Sequence, residues 1–307
     1  MTEPRVFGRM GSIRASEGNV DDMTARTRLL GVMGWPVEHS LSPPMQNAAI
    51  EALGLDWRYV ALPVRPEDLA EALRGARAMG FVGVNLTIPH KQQAMRLLDR
   101  VDPLAAAIGA VNTVHFTAQG ARGYNTDADG YVRTVEQESG YSFRGGRVLQ
   151  VGAGGVGRAM AFGAARADAA SLAIVNRDPA RARALAADLA ASFPGLRIQV
   201  VESAAERAAA AAGADLIANA TSLGMKPGDP VCLPPELIRE QHVVFDTVYT
   251  PDPQTPLLRA ARERGARCVE GLGMLARQGA AALRIWSGRE PDEALMERVL
   301  RRHLGAE

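Results

Sequence analysis

Residues 147–157 read RVLQVGAGGVG, and this stretch decides the fold of the second half of the chain. An apolar run that predicts a β-strand leads into Gly152, Gly154 and Gly157, which have GxGxxG spacing, and a helical pattern follows over 158–167. In this motif the first glycine permits a tight turn, the second lets the backbone approach a pyrophosphate, and the third lets helix and strand pack closely. The order of strand, glycine-rich turn and helix therefore predicts a dinucleotide-binding domain whose helix N-terminus faces the phosphates.

The residues after the next predicted strand bear on which dinucleotide binds. An NAD enzyme usually has an acid here, which accepts hydrogen bonds from the ribose hydroxyls. This chain reads Asn176-Arg177-Asp178, with Arg181 shortly beyond. Arginine at this point suits the 2′-phosphate of NADP, whereas the Asp178 carboxylate would repel it. The pattern favours NADP and leaves NAD open, and Arg181 taken alone equally fits a solvated helix face.

Strand-like and helix-like segments alternate along the chain from residue 29. The first series has predicted strands at 29–34, 57–64, 81–88 and 110–116, with helices at 43–53, 66–79 and 91–98. The second has predicted strands at 147–151, 171–175, 197–201, 216–219 and 243–246, and the tail from 271 is helical. Such alternation indicates parallel sheets with right-handed crossovers. A length of 307 residues fits two domains of ordinary size.

Composition argues against several classes of function. The chain is 47% hydrophobic and 22% charged, with a formal net charge of +1, and it has no dense basic block for nucleic acid or membrane surfaces. No apolar run approaches the roughly 20 residues that cross a bilayer. Its two cysteines, Cys232 and Cys268, are too few for a disulfide framework and lack metal-ligand spacing. We therefore expect a cytoplasmic protein without a metal, preceded by a flexible extension over 1–27.

Lysine is nearly absent from the chain, so the two lysines stand out. Of 35 basic residues only Lys91 and Lys226 are lysines. Arginine keeps its proton at any workable pH, whereas a desolvated or crowded lysine can exchange one. Lys91 ends the stretch GVNLTIPHK (83–91), where an apolar run gives way to polar residues, and Lys226 lies beside a Pro-Gly pair typical of a loop. Lys91 is therefore a candidate for acid/base chemistry.

Two serines precede the first predicted helix. Ser40 and Ser42 lie two residues apart, and such a loop can direct two hydroxyls and backbone N–H groups at a small anion such as a carboxylate. Ser42 followed by Pro43 also matches a helix N-cap with proline at the first helical position. The sequence leaves both roles open for Ser42.

Together, these motifs resemble the shikimate dehydrogenase family and its quinate/shikimate relatives. The resemblance covers nearly the whole chain from residue 30, and the matching segments are 34–47, 83–91, 109–113, 125–127, 152–157, 176–177, 219–222, 246–249, 255–258 and 271–278. It implies an α/β fold of two domains. One is an N-terminal α/β substrate domain over 28–127 that the C-terminal helices over 271–307 complete, and the other is a Rossmann-like dinucleotide-binding domain over 128–270.

The resemblance also implies an activity and a set of site residues. The activity is the reversible NADPH-dependent reduction of 3-dehydroshikimate to shikimate in chorismate and aromatic amino acid biosynthesis, with Lys91 and Asp127 as catalytic residues. The implied substrate-binding residues are Ser40, Ser42, Thr87, Asn112, Asp127, Tyr249 and Gln278. The implied cofactor-binding residues are Gly152, Ala153, Gly154, Gly155, Val156, Gly157, Asn176, Arg177, Arg181, Thr221, Thr247 and Gly271.

The chemistry of these residue types agrees with that activity. Reduction of a ring ketone needs a hydride at carbon and a proton at oxygen, and a lysine can both stabilise the developing alkoxide and donate the proton. A neighbouring Asp127 would orient the lysine and accept a hydrogen bond from a substrate hydroxyl. A buried lysine–aspartate pair can also be purely structural.

The chain departs from the family pattern at three positions, and two other functions remain open. Gln46 stands where a histidine is common, His90 where an apolar residue is usual, and Asp178 where NADP-using members often have threonine. The alternatives are an NAD-dependent quinate/shikimate dehydrogenase and a non-catalytic sensor that binds a shikimate-like ligand. Both a monomer and a homodimer remain open.

Overall fold

The computed structural model describes residues 23–226, 228–250, 252 and 254–305. Within these ranges the chain forms two six-stranded sheets with helices between and around them. The predicted extension lies outside the described residues as far as position 22, and residues 23–27 contain neither helix nor strand.

The N-terminal part of the chain forms the first sheet. Its strands are β1 (Arg28–Gly34), β2 (Trp57–Pro63), β3 (Gly83–Leu86), β4 (Arg100–Val101), β5 (Thr113–Thr117) and β6 (Gly120–Tyr124). They lie in the order β2-β1-β3-β5-β6-β4. β1 runs parallel to β2 and β3, whereas β5 is antiparallel to both β3 and β6. The sheet is therefore mixed and not wholly parallel as predicted, because the short link between β5 and β6 permits only an antiparallel hairpin.

The second sheet is wholly parallel, as predicted. Its strands are β7 (Arg147–Val151), β8 (Ser171–Val175), β9 (Arg197–Val201), β10 (Leu216–Asn219), β11 (Val243–Asp246) and β12 (Arg267–Glu270). They lie in the order β12-β11-β10-β7-β8-β9. From β7 successive strands are added on one side as far as β9, and from β10 they are added on the other side, so the strand order reverses between β7 and β10. Open α/β sheets bind ligands at such a switch point, outside the carboxyl ends of the strands.

The helices are mostly those expected from the apolar periodicity. They are α1 (Ser42–Ala52), α2 (Leu69–Ala78), α3 (His90–Gln93), α4 (Pro103–Ile108), α5 (Asp127–Ser139), α6 (Gly155–Arg166), α7 (Pro179–Ser192), α8 (Ala204–Gly213), α9 (Pro256–Glu263), α10 (Gly271–Ser287) and α11 (Glu293–Leu304). The predicted helix at 91–98 is instead the single turn α3 followed by a 3₁₀ turn, Ala94–Arg96. Among the described residues, no helix has the length and apolar character that a membrane span requires.

Helices α5 and α10 join the two sheets. Tyr131 of α5 is fully buried in one core with Phe162 of α6 and Phe245 of β11, whereas Leu272 and other residues of α10 belong to the core beneath the first sheet. The two helices approach closely at Gly130, where an added methyl group would lie 3.1 Å from a backbone nitrogen of α10. The contact between α5 and α10 therefore connects the core that holds Tyr131 with the core beneath the first sheet.

Candidate active site

The polar residues of the first half of the chain meet at one edge of the first sheet. β1 and β3 are parallel and both end there, so the serine segment (residues 40–42) and residues 87–91 follow strands that lie side by side. Because β5 is antiparallel, its first residues lie at the same edge and bring Asn112 there, and β6 ends there shortly before Asp127. The strand whose direction differs from the prediction is therefore the one that delivers Asn112.

Lys91 and Asp127 form a buried ion pair. Lys91 Nζ lies 2.7 Å from Asp127 Oδ2, and the two side chains are only 13% and 5% exposed. Asp127 is the first residue of α5, where the helix dipole favours a carboxylate, and its N–H donates to Asn125 Oδ1 at 3.1 Å. The Lys91 carbonyl accepts a hydrogen bond from the N–H of Val111 at 2.8 Å. Backbone contacts thus fix both members of the pair.

Asn112 binds the second oxygen of the same carboxylate. Its Nδ2 donates to Asp127 Oδ1 at 2.9 Å and to Thr126 Oγ1 at 2.8 Å, and it lies 3.4 Å from Gln278 Oε1. Its Oδ1 accepts from the Thr126 N–H at 2.9 Å. With Lys91 on one oxygen and Asn112 on the other, the carboxylate of Asp127 cannot rotate without breaking a charge-assisted hydrogen bond.

A buried relay that was not predicted from the sequence leads from this site to the serine segment. The Tyr59 hydroxyl donates to Asn85 Oδ1 at 2.7 Å, and Asn85 Nδ2 donates to the Asn112 carbonyl at 3.0 Å. Burial raises the pKa of Tyr59 well above its usual value, and a hydrogen bond with Ser42 opposes that rise. The available signal was Asn85, a polar residue inside the apolar strand GVNL, because a buried amide requires partners.

The Ser42 side chain does not cap α1. The N-cap position is Leu41, and Ser42 is the first helical residue. The Ser42 N–H donates to Ser40 Oγ at 3.3 Å. Of the two roles that the sequence left open for Ser42, helix capping is therefore not observed. Thr87 packs beside the end of β1, since a methyl group on Gly34 would overlap Thr87 Cγ2.

The glycine-rich turn (residues 152–157) has the geometry that a pyrophosphate requires. Gly152 has a φ of +112°, and a methyl group on Gly157 would overlap the Gly152 carbonyl oxygen. A methyl group on Gly154 would meet no heavy atom of the described residues within 4 Å, so this face of the turn is open. α6 begins at Gly155 without a side-chain cap, three residues before the predicted start. Its free N–H groups and dipole fit the phosphates of a dinucleotide.

The glycine-rich turn lies close to Lys91 of α3. A methyl group built on Gly155 would lie 3.6 Å from Lys91 Cβ and 3.7 Å from Lys91 Cδ. The carboxyl ends of the strands in the second sheet therefore adjoin the polar edge of the first. Tyr249, in the loop after β11, also bridges toward the first sheet, because it packs on the same core as α10.

A second buried network shapes the loops after β10 and β11. Asp246 is fully buried and accepts hydrogen bonds from Asn219 Nδ2 at 2.8 Å, the Val248 N–H at 3.0 Å and the Thr255 hydroxyl at 2.6 Å. Burial raises the pKa of its carboxyl group. Asn219 Oδ1 in turn accepts from the N–H and the hydroxyl of Thr221. Thr247 lies in the second loop, and its carbonyl would be 2.6 Å from a methyl group on Gly271.

The residues after β8 divide into one that supports the glycine-rich turn and three that face solvent. Asn176 Oδ1 accepts the Ala153 N–H at 3.1 Å, which ties the turn to β8. Asp178 caps α7 with its side chain, and its Oδ2 lies 3.6 Å from Arg181 Nε. Arg177, Asp178 and Arg181 are exposed. Two arginines and one carboxylate thus lie exposed after β8.

Among the described residues, no group of three or more histidine, cysteine, aspartate or glutamate side chains could hold a metal ion.

A parallel sheet with a glycine-rich turn, placed against a buried lysine–carboxylate pair, defines a two-domain oxidoreductase of the nicotinamide-dependent class. Comparison with known proteins narrows this class. Residues 32–114 match the family model of the shikimate dehydrogenase substrate binding domain, and residues 271–301 match that of the shikimate 5′-dehydrogenase C-terminal domain. A shikimate dehydrogenase (NADP(+)) from Moorella thermoacetica is 47% identical over 284 residues, which cover 92% of this chain and 95% of the relative. The chain belongs to the shikimate dehydrogenase family.

Solved structures agree with this assignment. The shikimate 5-dehydrogenase from Thermus thermophilus, in complex with NADP(H) and shikimate, superposes with a TM-score of 0.80 at 39% identity, covering 90% of this chain and 99% of that one. A quinate dehydrogenase from Corynebacterium glutamicum in complex with NAD gives a TM-score of 0.83 at 33% identity, with coverage of 90% and 99%. The predicted family and the predicted α/β fold class are thereby confirmed.

Proposed function

We propose that this chain catalyses the reversible reduction of 3-dehydroshikimate to shikimate with NADP(H). The observation that carries the proposal is the buried Lys91–Asp127 pair, with 2.7 Å between Nζ and Oδ2, beside the glycine-rich turn. Membership of a family whose relatives are named NADP-dependent shikimate dehydrogenases supports the same conclusion. The pair supplies a cation and a base where a dinucleotide and a small polar substrate can meet.

In this proposal Lys91 transfers the proton. A dinucleotide held by the glycine-rich turn would supply the hydride for the carbonyl carbon of the ring. Lys91 donates a proton to the carbonyl oxygen, and its charge stabilises that oxygen as it becomes alkoxide-like. In the oxidation direction Lys91 takes the proton back from the hydroxyl group. Asp127 keeps the lysine in position, because Asn112 holds its other oxygen.

We further propose that the buried network orients the substrate along its length. The two serines, Ser40 and Ser42, would bind the ring carboxylate at one end, and the ion pair would meet the reacting carbon at the other. The relay through Tyr59 and Asn85 supports this assignment, since it fixes the separation of the two ends. The proposed contacts for the ring hydroxyls and the ring itself are Thr87, Asn112, Asp127, Gln278 and Tyr249.

The cofactor is proposed to lie across the carboxyl edge of the second sheet. The glycine-rich turn would bind the pyrophosphate, Arg177 and Arg181 the 2′-phosphate, and the loops after β10 and β11 the nicotinamide end. The domain division at 128 and 271 stays part of this proposal. It is supported by the packing of α10 on the core of the first sheet. Closure of one domain on the other would exclude water from the crevice.

One observation favours a second candidate, an NAD-dependent quinate/shikimate dehydrogenase. The exposed Asp178 carboxylate follows β8, in the region of the sequence where an NAD enzyme usually has an acid for the ribose hydroxyls, and a carboxylate there would disfavour a 2′-phosphate. A quinate dehydrogenase is also among the structural relatives.

Initial rates in four pairings distinguish these candidates. Shikimate and quinate are each oxidised with NADP⁺ and with NAD⁺, and nicotinamide reduction is followed by absorbance. We expect the highest kcat/KM for shikimate with NADP⁺. A higher value for quinate with NAD⁺ would establish the second candidate, and shikimate binding without turnover in any pairing would indicate a sensor.

The role of Lys91 is tested with Lys91→Ala and, as a matched control, Lys226→Ala, since Lys226 is the other lysine and is exposed. Loss of a general acid lowers kcat by roughly 10²–10⁴-fold. We expect a fall of that size for Lys91→Ala, with a much smaller change in the KM for shikimate, and wild-type kinetics for the control. Retention of most of the turnover by a folded Lys91→Ala protein would reject the catalytic role.

A further inference from the structure

A polar side chain that is not part of the dinucleotide motif forms hydrogen bonds to the glycine-rich turn from the strand before it. Gln150 lies in the middle of the second sheet, in β7, two residues before the first glycine, and is fully buried. Its sequence neighbours Leu149 and Val151 are both buried and apolar. A buried amide at such a position needs hydrogen-bond partners to offset its desolvation.

Those partners are the two ends of the turn. Gln150 Nε2 donates to the Gly152 carbonyl at 2.8 Å and to the Gly157 carbonyl at 2.9 Å. An amide nitrogen carries two hydrogens, so one group can bind both carbonyls. The opposite orientation of the amide would set its oxygen against two carbonyl oxygens, which fixes Nε2 as the atom facing the turn.

Gln150 and Asn176 together fix the first peptide plane of the turn. The carbonyl of Gly152 accepts from Gln150, and the N–H of the same peptide unit, on Ala153, donates to Asn176 Oδ1 at 3.1 Å. The Gly157 carbonyl is held from the same nitrogen of Gln150. Residues 154–156, between these fixed points, carry the open face and the N-terminus of α6.

The other half of the amide indicates that stability alone does not account for this residue. Gln150 Oε1 is buried and has no hydrogen-bond partner among the described residues. An unpaired buried acceptor is destabilising, so it offsets part of the stabilisation that the two hydrogen bonds from Nε2 provide. The amide oxygen of Gln150 is therefore unfavourable for stability, whereas the amide nitrogen fixes the geometry of the turn.

We propose that Gln150 is a positioning residue for the cofactor, which holds the glycine-rich turn in the shape that receives the pyrophosphate. The inference rests on the proposed function in one respect, namely that the ligand of the turn is NADP(H). Gln150 does not touch the cofactor. It acts through the carbonyls of Gly152 and Gly157, and its loss should weaken dinucleotide binding without changing the binding of the substrate.

The test compares Gln150→Met, which keeps the length of the side chain and removes both donors, with Gln199→Met. Gln199 is a matched control because it lies on β9 of the same sheet and is exposed. The dissociation constant for NADPH is measured by nicotinamide fluorescence without substrate, and the KM for shikimate is measured at saturating NADP⁺. We expect Kd for NADPH to rise about tenfold, equivalent to about 1.4 kcal/mol, for Gln150→Met. The KM for shikimate in this variant and both constants of the control should match wild type.

A merely structural role would lower the melting temperature of Gln150→Met and leave Kd for NADPH at the wild-type value, and that result would overturn the inference. If Gln150→Met does not fold, Gln150→Asn is judged by the same criterion, because its shorter amide cannot reach both carbonyls. The proposed function fails separately, if wild-type protein binds NADPH but does not oxidise shikimate. Weaker NADPH binding by Gln150→Met would support the positioning role even then.

Discussion

Replacement of Arg158 by methionine should weaken the attachment of the two domains to each other. Arg158 lies in the first turn of α6, just after the glycine-rich turn, and is buried. Its Nε donates to the Ile108 carbonyl at the end of α4, and its Nη2 lies 2.7 Å from Asp188 Oδ2 of α7. One guanidinium group therefore links the proposed cofactor domain to the proposed substrate domain.

The magnitude follows from these two contacts. A hydrogen bond from a charged donor contributes about 1.5–3 kcal/mol, and its loss leaves the Ile108 carbonyl without this donor. Asp188 is 51% exposed, so the ion pair adds at most about 1 kcal/mol. Methionine retains most of the apolar contacts of the arginine stem. We expect Arg158→Met to lower the free energy of unfolding by about 2 kcal/mol, the sum dominated by the hydrogen bond.

Urea unfolding followed by circular dichroism measures this loss. Arg183→Met is the matched control, since Arg183 is exposed and pairs with the exposed Glu202 in the same domain. The control should stay within about 0.5 kcal/mol of wild type, as surface substitutions usually do. An unfolding free energy for Arg158→Met that equals that of the control would refute the view that this arginine joins the domains.

Two further predictions concern residues where the chain departs from its family pattern. Asp178→Ser keeps a cap on α7 and removes the carboxylate. Because two charges at about 4 Å interact by about 1 kcal/mol in water, the ratio of kcat/KM for NADP⁺ to that for NAD⁺ should rise about fivefold, and an unchanged ratio would contradict the repulsion. For His90, burial lowers the pKa, and a hydrogen bond to the Val64 carbonyl opposes that shift. A depressed imidazole pKa means that the unfolded chain binds the proton more readily, so stability is complete above the ordinary pKa of about 6.5 and falls as the pH drops below it. His90→Gln should therefore lose less melting temperature between neutral and acidic pH than wild type does, while His303→Gln, at an exposed histidine, should lose as much as wild type.

The second sheet was more predictable than the first, and the reason is local. Its strands β7, β8, β9, β10 and β11 have the predicted bounds, because each is a short apolar run closed by glycine or polar residues. β12 was missed, since Arg267–Glu270 is a four-residue edge strand with exposed and half-buried positions. In the first sheet the sequence predicted β5 but not its partner β6, because the turn between them has no typical hairpin pair such as Asn-Gly.

At the site, the ion pair and Asn112 could be predicted, whereas the buried relay behind them could not. Lys91 stood out by its rarity and Asp127 by resemblance, and the structure places their side chains in direct contact. Tyr59 lies on β2 and Asn85 on β3. β1 lies between these two strands in the sheet, and the two side chains meet across it. Such a contact depends on sheet order, which residue types and spacing do not specify.

The position of Lys91 relative to the glycine-rich turn depends on a short series of contacts. Arg158, on the helix that the turn begins, binds the carbonyl of Ile108, and three residues further on the N–H of Val111 donates to the carbonyl of Lys91 at 2.8 Å. The turn itself lies close to the Lys91 side chain at Gly155, where an added methyl group would be 3.6 Å from Lys91 Cβ. Because these contacts form a closed loop, a shift of α6 against α4 must also shift the turn against Lys91. Arg158→Met should therefore reduce kcat/KM for shikimate as well as stability, since misplacement of reacting groups by about 1 Å can cost 10²-fold in rate.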